Sequence, residues 1–157
     1  MQNVLTVSRK IDYALRAMIY LATLPPGTVV PFREIARLNG LPEDFLAKIL
    51  RTVADAGHLT AVRGSHGGYQ LAKPPEAISF LDVIEAVEGP VRLNVCVDDE
   101  ARVSPLDHDG CAVSGSCTML TVWRTGQERM LEVYRNTSLR ELATPRSVKL
   151  PTLPTLG

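Results

Sequence analysis

Apolar side chains in the first third of the chain recur at intervals of three or four residues, which is the period of an amphipathic helix. The pattern predicts helices over residues 10–24, 31–38 and 42–56, with Leu38 and Phe45 among the buried positions of the second and third. Proline and glycine residues separate these helices and end them. Two short helices that meet at a glycine-containing turn predict a helix-turn-helix.

From residue 59 to 72 the pattern changes to alternation between apolar and polar positions, which predicts two strands. The glycine-rich segment 64–68 predicts the hairpin tip between them. A hairpin directly after a helix-turn-helix is the order of a winged helix, in which the third helix enters the major groove of DNA and the wing contacts the backbone or minor groove. The predicted fold class is mainly α, a winged helix-turn-helix with a two-stranded β wing.

The helical period returns in the second half of the chain. It predicts a helix that begins after Ser79, a long helix over residues 116–135 and a short one over 138–142. Gly126 interrupts the long helix, and a glycine within a helix costs about 1 kcal/mol relative to alanine. We therefore expect this long C-terminal helix to be a dimerisation helix, stabilised by the same helix of a second copy.

These elements divide the chain into four predicted units. Residues 1–89 form a winged-helix DNA-binding domain, and residues 90–116 form an irregular sensor loop that contains cysteines. Residues 117–143 form the dimerisation helix and the short last helix. Residues 144–157 hold three prolines and no periodic pattern, so we expect a flexible tail.

Composition and charge narrow the class of protein. Residues 1–74 hold nine Lys or Arg against five Asp or Glu, whereas the remainder holds eight against twelve, so the first half is the part that suits an anionic partner. There is no run of eighteen apolar residues and no apolar leader, so we expect a cytoplasmic protein without a membrane partner. No Ser/His/Asp set, phosphate-binding loop or paired-carboxylate motif stands out, so we do not expect an enzyme.

The predicted DNA-binding surface combines the N-terminus, the start of the third helix and the wing. Its basic members, which we expect to bind phosphate oxygens, are Arg9, Lys10, Lys48, Arg51 and Arg63. Arg63 is the main wing candidate, because narrow minor grooves attract arginine. Pro42 and Glu43 lie at the end of the third helix that approaches base edges, and His66 at the wing tip is a candidate phosphate contact.

Three cysteines, Cys96, Cys111 and Cys117, lie in and just after the irregular segment. Thiolates suit iron-sulfur clusters and zinc, and both kinds of site need a fourth ligand. On sequence alone the candidates for that ligand are Asp12, Asp107, His108 and Asp109. An iron-sulfur cluster, a cluster-free thiol sensor and a zinc or inert site all remain open from these residues.

Three motifs carry a family resemblance. The run from Ser8 to Ala17, the wing from Val62 to Ala72 and the segment from Asp82 to Pro90 resemble the Rrf2 family of bacterial regulators, which includes the IscR and NsrR types. The resemblance spans residues 8–143 and keeps the order and distances of the family. It implies a homodimeric winged-helix transcription factor that binds double-stranded promoter DNA and, in many members, carries an iron-sulfur cluster.

The resemblance also implies a ligand set. Members of the NsrR type place an aspartate at the position of Asp12, where it completes the cluster from the other subunit. Members of the IscR type use a histidine three residues after the last cysteine, and here that position is Leu120. The chain departs from the family in the fourteen residues between Cys96 and Cys111, a much longer spacing than usual. This departure puts the role of Cys96 in question and leaves His108 as an alternative ligand.

The leading hypothesis is a homodimeric DNA-binding regulator that senses nitric oxide, redox state or iron-sulfur status through a 2Fe-2S cluster. The nearest alternative keeps DNA binding and replaces the cluster by a reversible disulfide between Cys111 and Cys117. A third hypothesis is an iron-sulfur carrier that retains the winged-helix scaffold without binding DNA, against which Arg63 and the basic first half argue.

Overall fold

A computed structural model describes residues 7–94, residue 97 and residues 117–144. Cys96, Cys111, His108 and the two aspartates beside His108 lie outside these described residues, as do residues 145–157 of the predicted tail and most of the predicted loop. The elements in chain order are α1 (Arg9–Ala22), α2 (Phe32–Asn39), α3 (Glu43–Asp55), β1 (Leu59–Val62), β2 (Gly68–Leu71), a 3₁₀ turn (Pro75–Ala77), α4 (Phe80–Glu88), α5 (Met119–Asn136) and α6 (Leu139–Ala143). The mainly helical winged-helix fold class is confirmed.

Local side chains explain where several helices begin and end. The hydroxyl group of Ser8 accepts a hydrogen bond from the backbone N–H of Ile11 and caps α1. Ser79 and Asp82 form a reciprocal capping box at the start of α4. Gly40 ends α2 in the left-handed conformation, with φ 64° and ψ 38°, which a residue with a side chain rarely adopts. The turn between α2 and α3 is therefore as tight as the sequence predicts.

The hydrophobic core is built around α1, whose Ala14, Ala17 and Met18 are fully buried. Helix α3 contributes Leu46, Ile49, Leu50 and Val53, and α4, α6 and the strand β1 close the core around them. Two residues that the sequence predicts to be buried are exposed instead. Leu38 is 49% exposed and Phe45 is 42% exposed, so both predictions are wrong. Helix α2 reaches the core through Ile35 and Ala36 and not through its last turn. Phe45 lies on the flank of the buried stripe of α3.

The wing is an antiparallel pair in which Leu59 lies opposite Leu71 and Val62 lies opposite Gly68. Val30, in the segment before α2, forms an additional antiparallel bridge with Tyr69 of β2. A Cβ atom at Gly68 would lie 2.2 Å from the carbonyl oxygen of Val30, so only glycine permits this approach. The wing is thus attached to the helix-turn-helix through the main chain.

Helix α4 packs against α5 and against the segment that leads into α6. Phe80 donates its backbone N–H to the carbonyl of Thr137 at 2.8 Å, and its ring packs 5.0 Å from the ring of Tyr134. Leu139 of α6 is fully buried in the core, whereas none of the residues of α5 is buried. Among the described helices, none has the length and apolar character needed to cross a membrane.

Candidate nucleic-acid interface and sensor residues

The exposed face of α3 carries charges of both signs. Asp44, Lys48, Arg51 and Asp55 recur at helical spacing on the side opposite the core, and all four are exposed. Within the described residues neither Lys48 nor Arg51 forms an ion pair, so both side chains are available to an anionic partner. Lys48 and Arg51 are therefore two accessible cations on this face, with an exposed aspartate before and after them along the helix.

The N-terminal end of α3 is shaped by Pro42 and Glu43. Pro42 occupies the cap position with an extended backbone, and no side chain caps the first N–H groups. Glu43 forms an ion pair with Arg33 of α2, with Nε and Oε2 3.6 Å apart. A free carboxylate would repel phosphate groups, and the guanidinium of Arg33 offsets that charge. This pair reduces the repulsion from Glu43, whereas Asp44 of the same turn has no ion-pair partner among the described residues.

The wing tip places Arg63 and His66 in solvent. Ser65 Oγ and His66 Nδ1 are 3.1 Å apart, within hydrogen-bond distance. Gly64 has φ 116°, a backbone conformation that favours glycine and lets the chain turn directly after Arg63. Arg63 is thereby presented at the end of β1, where a wing contacts the backbone or minor groove.

The two basic residues at the start of α1 have different surroundings. Lys10 donates from Nζ to the carbonyl of Val87 at 3.0 Å and lies 3.9 Å from the carboxylate of Glu88. This places its ammonium group at the C-terminal end of α4, where the helix dipole favours a cation. Arg9 is exposed and forms no ion pair within the part of the chain that the structure describes. Arg9 is thus the more accessible of the two.

The candidate sensor residues that the structure describes are Asp12 and Cys117. Asp12 is bound by Arg16 one helical turn later, through contacts of 3.2 Å to Oδ1 and 3.0 Å to Oδ2, and its side chain is 46% exposed. Cys117 is a partly buried free thiol, two residues before α5 begins. Across the described ranges no three His, Cys, Asp or Glu side chains form a group that could hold a metal ion. The carboxylate of Asp12 nevertheless remains partly accessible to solvent.

Two residues of the winged helix have properties that the sequence pattern does not predict. The first is Phe45, whose ring is exposed on α3 and meets the ring of Tyr13 edge to face at 5.8 Å. The second is His58, in the turn between α3 and the wing. Burial and the nearby charge of Lys73 lower the pKa of His58 below 6.5, and Asp82 opposes them. The Nδ1 atom of His58 is buried without a hydrogen-bond partner among the described residues.

The chain is similar to known regulators along most of its length. The sequence model of the Rrf2 family, described as iron-dependent transcriptional regulators, matches residues 7–145. A Mycobacterium tuberculosis H37Rv protein named as an HTH-type transcriptional regulator is 36% identical over 138 residues, which cover 87% of this chain and 80% of that protein.

Two solved structures share the arrangement of helices and wing. CymR of B. subtilis, named as the global cysteine regulator, is 28% identical, with a TM-score of 0.66 over 88% of this chain and 96% of that chain. IscR of T. potens is 27% identical, with a TM-score of 0.67 over 88% of this chain and 85% of that chain. The winged-helix order seen here is therefore the order of known transcriptional regulators.

Proposed function

Because the chain belongs to the Rrf2 family of DNA-binding transcriptional regulators, we propose that two copies bind promoter DNA together. Helix α3 of each copy enters the major groove, and the wing contacts the neighbouring backbone or minor groove. The observation that carries this proposal is the exposure of Lys48 and Arg51 on α3 together with Arg63 on the wing. The bridge between Val30 and Tyr69 supports it, because that bridge holds both elements in one orientation.

Each basic residue except Lys10, which is bound to the end of α4, has a proposed part in binding. Lys48 lies in the N-terminal half of α3, where recognition helices approach base edges, and it binds either a guanine or a phosphate. Arg51 and Arg9 bind phosphate groups, and Arg63 enters the minor groove. His66 donates to a phosphate at the wing tip.

We assign a proposed role to each successive segment of the chain. Residues 1–89 bind DNA, residues 90–116 act as the sensor loop, residues 117–143 hold the two copies together, and residues 144–157 form a tail. In support, α5 exposes the apolar residues Met119, Val122 and Trp123, which a second copy would remove from water.

The proposed sensor is a 2Fe-2S cluster. Cys96, Cys111 and Cys117 would hold it together with Asp12 of the partner subunit, and His108 is the alternative ligand. The donor set fits the group, because thiolates are the usual ligands of such clusters and the exposed carboxylate of Asp12 is reachable from another chain. The likeness to an IscR and the iron-dependent description of the family support the same reading.

When bound, the cluster would supply an iron centre that reacts with small oxidants or nitric oxide. The residues of the chain would supply the ligands, which differ in how readily they exchange. A carboxylate is a poorer partner than a thiolate for iron in a sulfur-rich site, so Asp12 would be the ligand most readily exchanged. Arg16 is positioned to receive Asp12 when it is released, since the two side chains already form an ion pair. The signal would be nitric oxide, redox state or iron-sulfur status.

A second candidate function is thiol-based sensing without a cluster. Cys117 is a free, partly buried thiol, which is the group that such sensing requires. In this case Cys111 and Cys117 would form a reversible disulfide that alters DNA binding. An iron-sulfur carrier without DNA binding is disfavoured, because the relatives are named as transcriptional regulators.

Anaerobic purification distinguishes the two sensors. Visible absorption, iron content and sulfide content are measured for the wild type, for Asp12→Ala and for Asp55→Ala, a control at another exposed aspartate. Charge-transfer bands with equal iron and sulfide in the wild type and control, reduced in Asp12→Ala, would support the cluster. A colourless, iron-free protein whose DNA affinity changes on oxidation would instead support the thiol sensor.

A further inference from the structure

One large apolar side chain is exposed on the helix assigned to the major groove. In the part of the chain that the structure describes, the exposed large hydrophobic residues are Val7, Leu38, Phe45, Met119, Val122 and Trp123. Of these six, Phe45 is the one on α3, where it is the third residue of the helix. A phenyl ring cannot bind a phosphate through hydrogen bonds, so any contact that it makes at this surface is with an apolar group.

The ring of Phe45 is held in place from one side. Tyr13 of α1 meets it edge to face, with the ring centroids 5.8 Å apart and the planes 86° apart. Pairs in this geometry are favourable beyond the area they bury. The ring is therefore supported on the side of Tyr13, and the residue as a whole remains 42% exposed. A fixed ring can select a partner by shape, because little rotational freedom is lost on binding.

The neighbours of Phe45 supply the other chemistries that base edges need. Lys48, one turn further along, carries the donors that suit guanine, and Asp44 carries an acceptor that suits the amino group of cytosine. Both side chains are exposed. Thymine is distinguished in the major groove by its C5 methyl group, and phenylalanine is among the residues that contact it. Phe45 adds the apolar side chain that contact with a thymine methyl group requires.

We infer that Phe45 reads the C5 methyl group of a thymine in the major groove. The inference rests on the proposed placement of α3 in that groove. It adds a base preference that the charged residues of α3 do not supply, because lysine and aspartate do not recognise a methyl group.

Methyl deletion in the DNA tests the inference. The wild-type protein is used to select an operator from random duplexes, and each thymine is then replaced in turn by deoxyuridine, which lacks only the methyl group. Removing one methyl group from contact with the ring should raise Kd about fourfold. In Phe45→Ala the same replacement should change Kd by less than about 1.5-fold, since the ring is gone.

Two further variants keep the result interpretable. Phe45→Leu retains an apolar side chain and should keep part of the discrimination, even where the alanine variant is less stable. Leu38→Ala removes a similarly exposed apolar residue from α2 and should show the wild-type response to deoxyuridine. A deoxyuridine effect of the same size in the wild type and in Phe45→Ala would overturn the inference.

The Lys48→Ala variant separately tests the proposed placement of α3 in the major groove, on which this inference rests. If Lys48→Ala weakens operator binding while no thymine depends on Phe45, α3 lies in the groove and only the assignment of Phe45 fails. If Lys48→Ala and all the deoxyuridine replacements leave Kd unchanged, the placement of α3 itself fails.

Discussion

Val30 and Tyr69 exchange two main-chain hydrogen bonds, from Val30 N to Tyr69 O at 3.0 Å and from Tyr69 N to Val30 O at 2.9 Å. They join the segment before α2 to the second strand of the wing. An isolated two-stranded hairpin is only marginally stable in water. The bridge therefore stabilises the wing and fixes it relative to the helix-turn-helix.

Gly68→Ala should detach the wing. The added Cβ would lie 2.2 Å from the carbonyl oxygen of Val30, a distance that main-chain atoms must move to relieve. We expect a loss of about 1–3 kcal/mol in the free energy of unfolding and weaker DNA binding. Urea unfolding at one fixed protein concentration and operator titration measure these two effects. Gln70→Ala, on the same strand, should change stability by less than about 0.5 kcal/mol, and an equal loss in both variants would contradict the role of the bridge.

Arg63→Ala should reduce the salt dependence of DNA binding more than Lys10→Ala does. The guanidinium of Arg63 is exposed, whereas the ammonium of Lys10 is bound to the carbonyl of Val87 at 3.0 Å. A cation in the minor groove neutralises phosphate charge as a phosphate contact does, so its removal lowers the slope of log K against log salt by about 1. Operator Kd measured over a series of salt concentrations gives this slope for each variant. Equal reductions would show that Lys10 leaves Val87 and binds phosphate.

The helix-turn-helix and the wing could be predicted from sequence because their signals are local. Gly40 predicts the left-handed end of α2, and alternation predicts the strands. The outer limits of a buried stripe depend on neighbouring helices, and for that reason the helical period alone wrongly predicts that Phe45 is buried. The polar character of Lys48 and Thr52, three and seven residues further on, was the signal that Phe45 lies on the flank.

The surroundings of the candidate site residues were less predictable. Lys10 contacts Val87, 77 residues away in sequence, and no local pattern encodes that contact. His58 likewise acquires its neighbours from two other segments of the chain. The charge pair between Asp12 and Arg16 follows directly from helical spacing, whereas the proposed use of Asp12 by a second copy depends on an assembly that one chain does not contain.

Asp12→Ala should leave the fold of the metal-free protein nearly intact. Asp12 pairs with Arg16 across one exposed helical turn, and such pairs contribute about 0.3–0.5 kcal/mol. Thermal unfolding of chelator-treated protein measures the loss, which should be the same in Arg16→Ala. A loss of iron in Asp12→Ala can then be assigned to the missing ligand. A much larger loss of stability would mean that Asp12 has a structural role beyond this pair.

His58 should make the protein less stable as the pH falls. Its pKa in the folded state is lowered, by burial first and by Lys73 second, below the ordinary value of 6.5. Below that pH the unfolded chain binds the proton more readily, so folding stability declines until the folded-state pKa is passed. The free energy of unfolding, measured from about pH 7.5 to about pH 5, should therefore decline less in His58→Gln than in the wild type. Lys73→Gln should also reduce the decline, and an unchanged pH profile in both variants would contradict this account.

Val122→Glu should dissociate the proposed dimer. Met119, Val122 and Trp123 lie on one face of α5 and are 61%, 70% and 36% exposed, although the C-terminal end of the helix packs on Phe80. A carboxylate placed within an apolar contact between two copies costs several kcal/mol, so the dimer Kd should rise by at least about 100-fold. Thr121→Glu places the same charge on the opposite face and should leave the Kd within about threefold of the wild type. Sedimentation velocity over a range of protein concentrations measures both constants. If the Val122→Glu variant remains dimeric, the dimer interface does not include this face of α5. If both variants dissociate, added negative charge on α5 is sufficient for dissociation and burial of Val122 is not required.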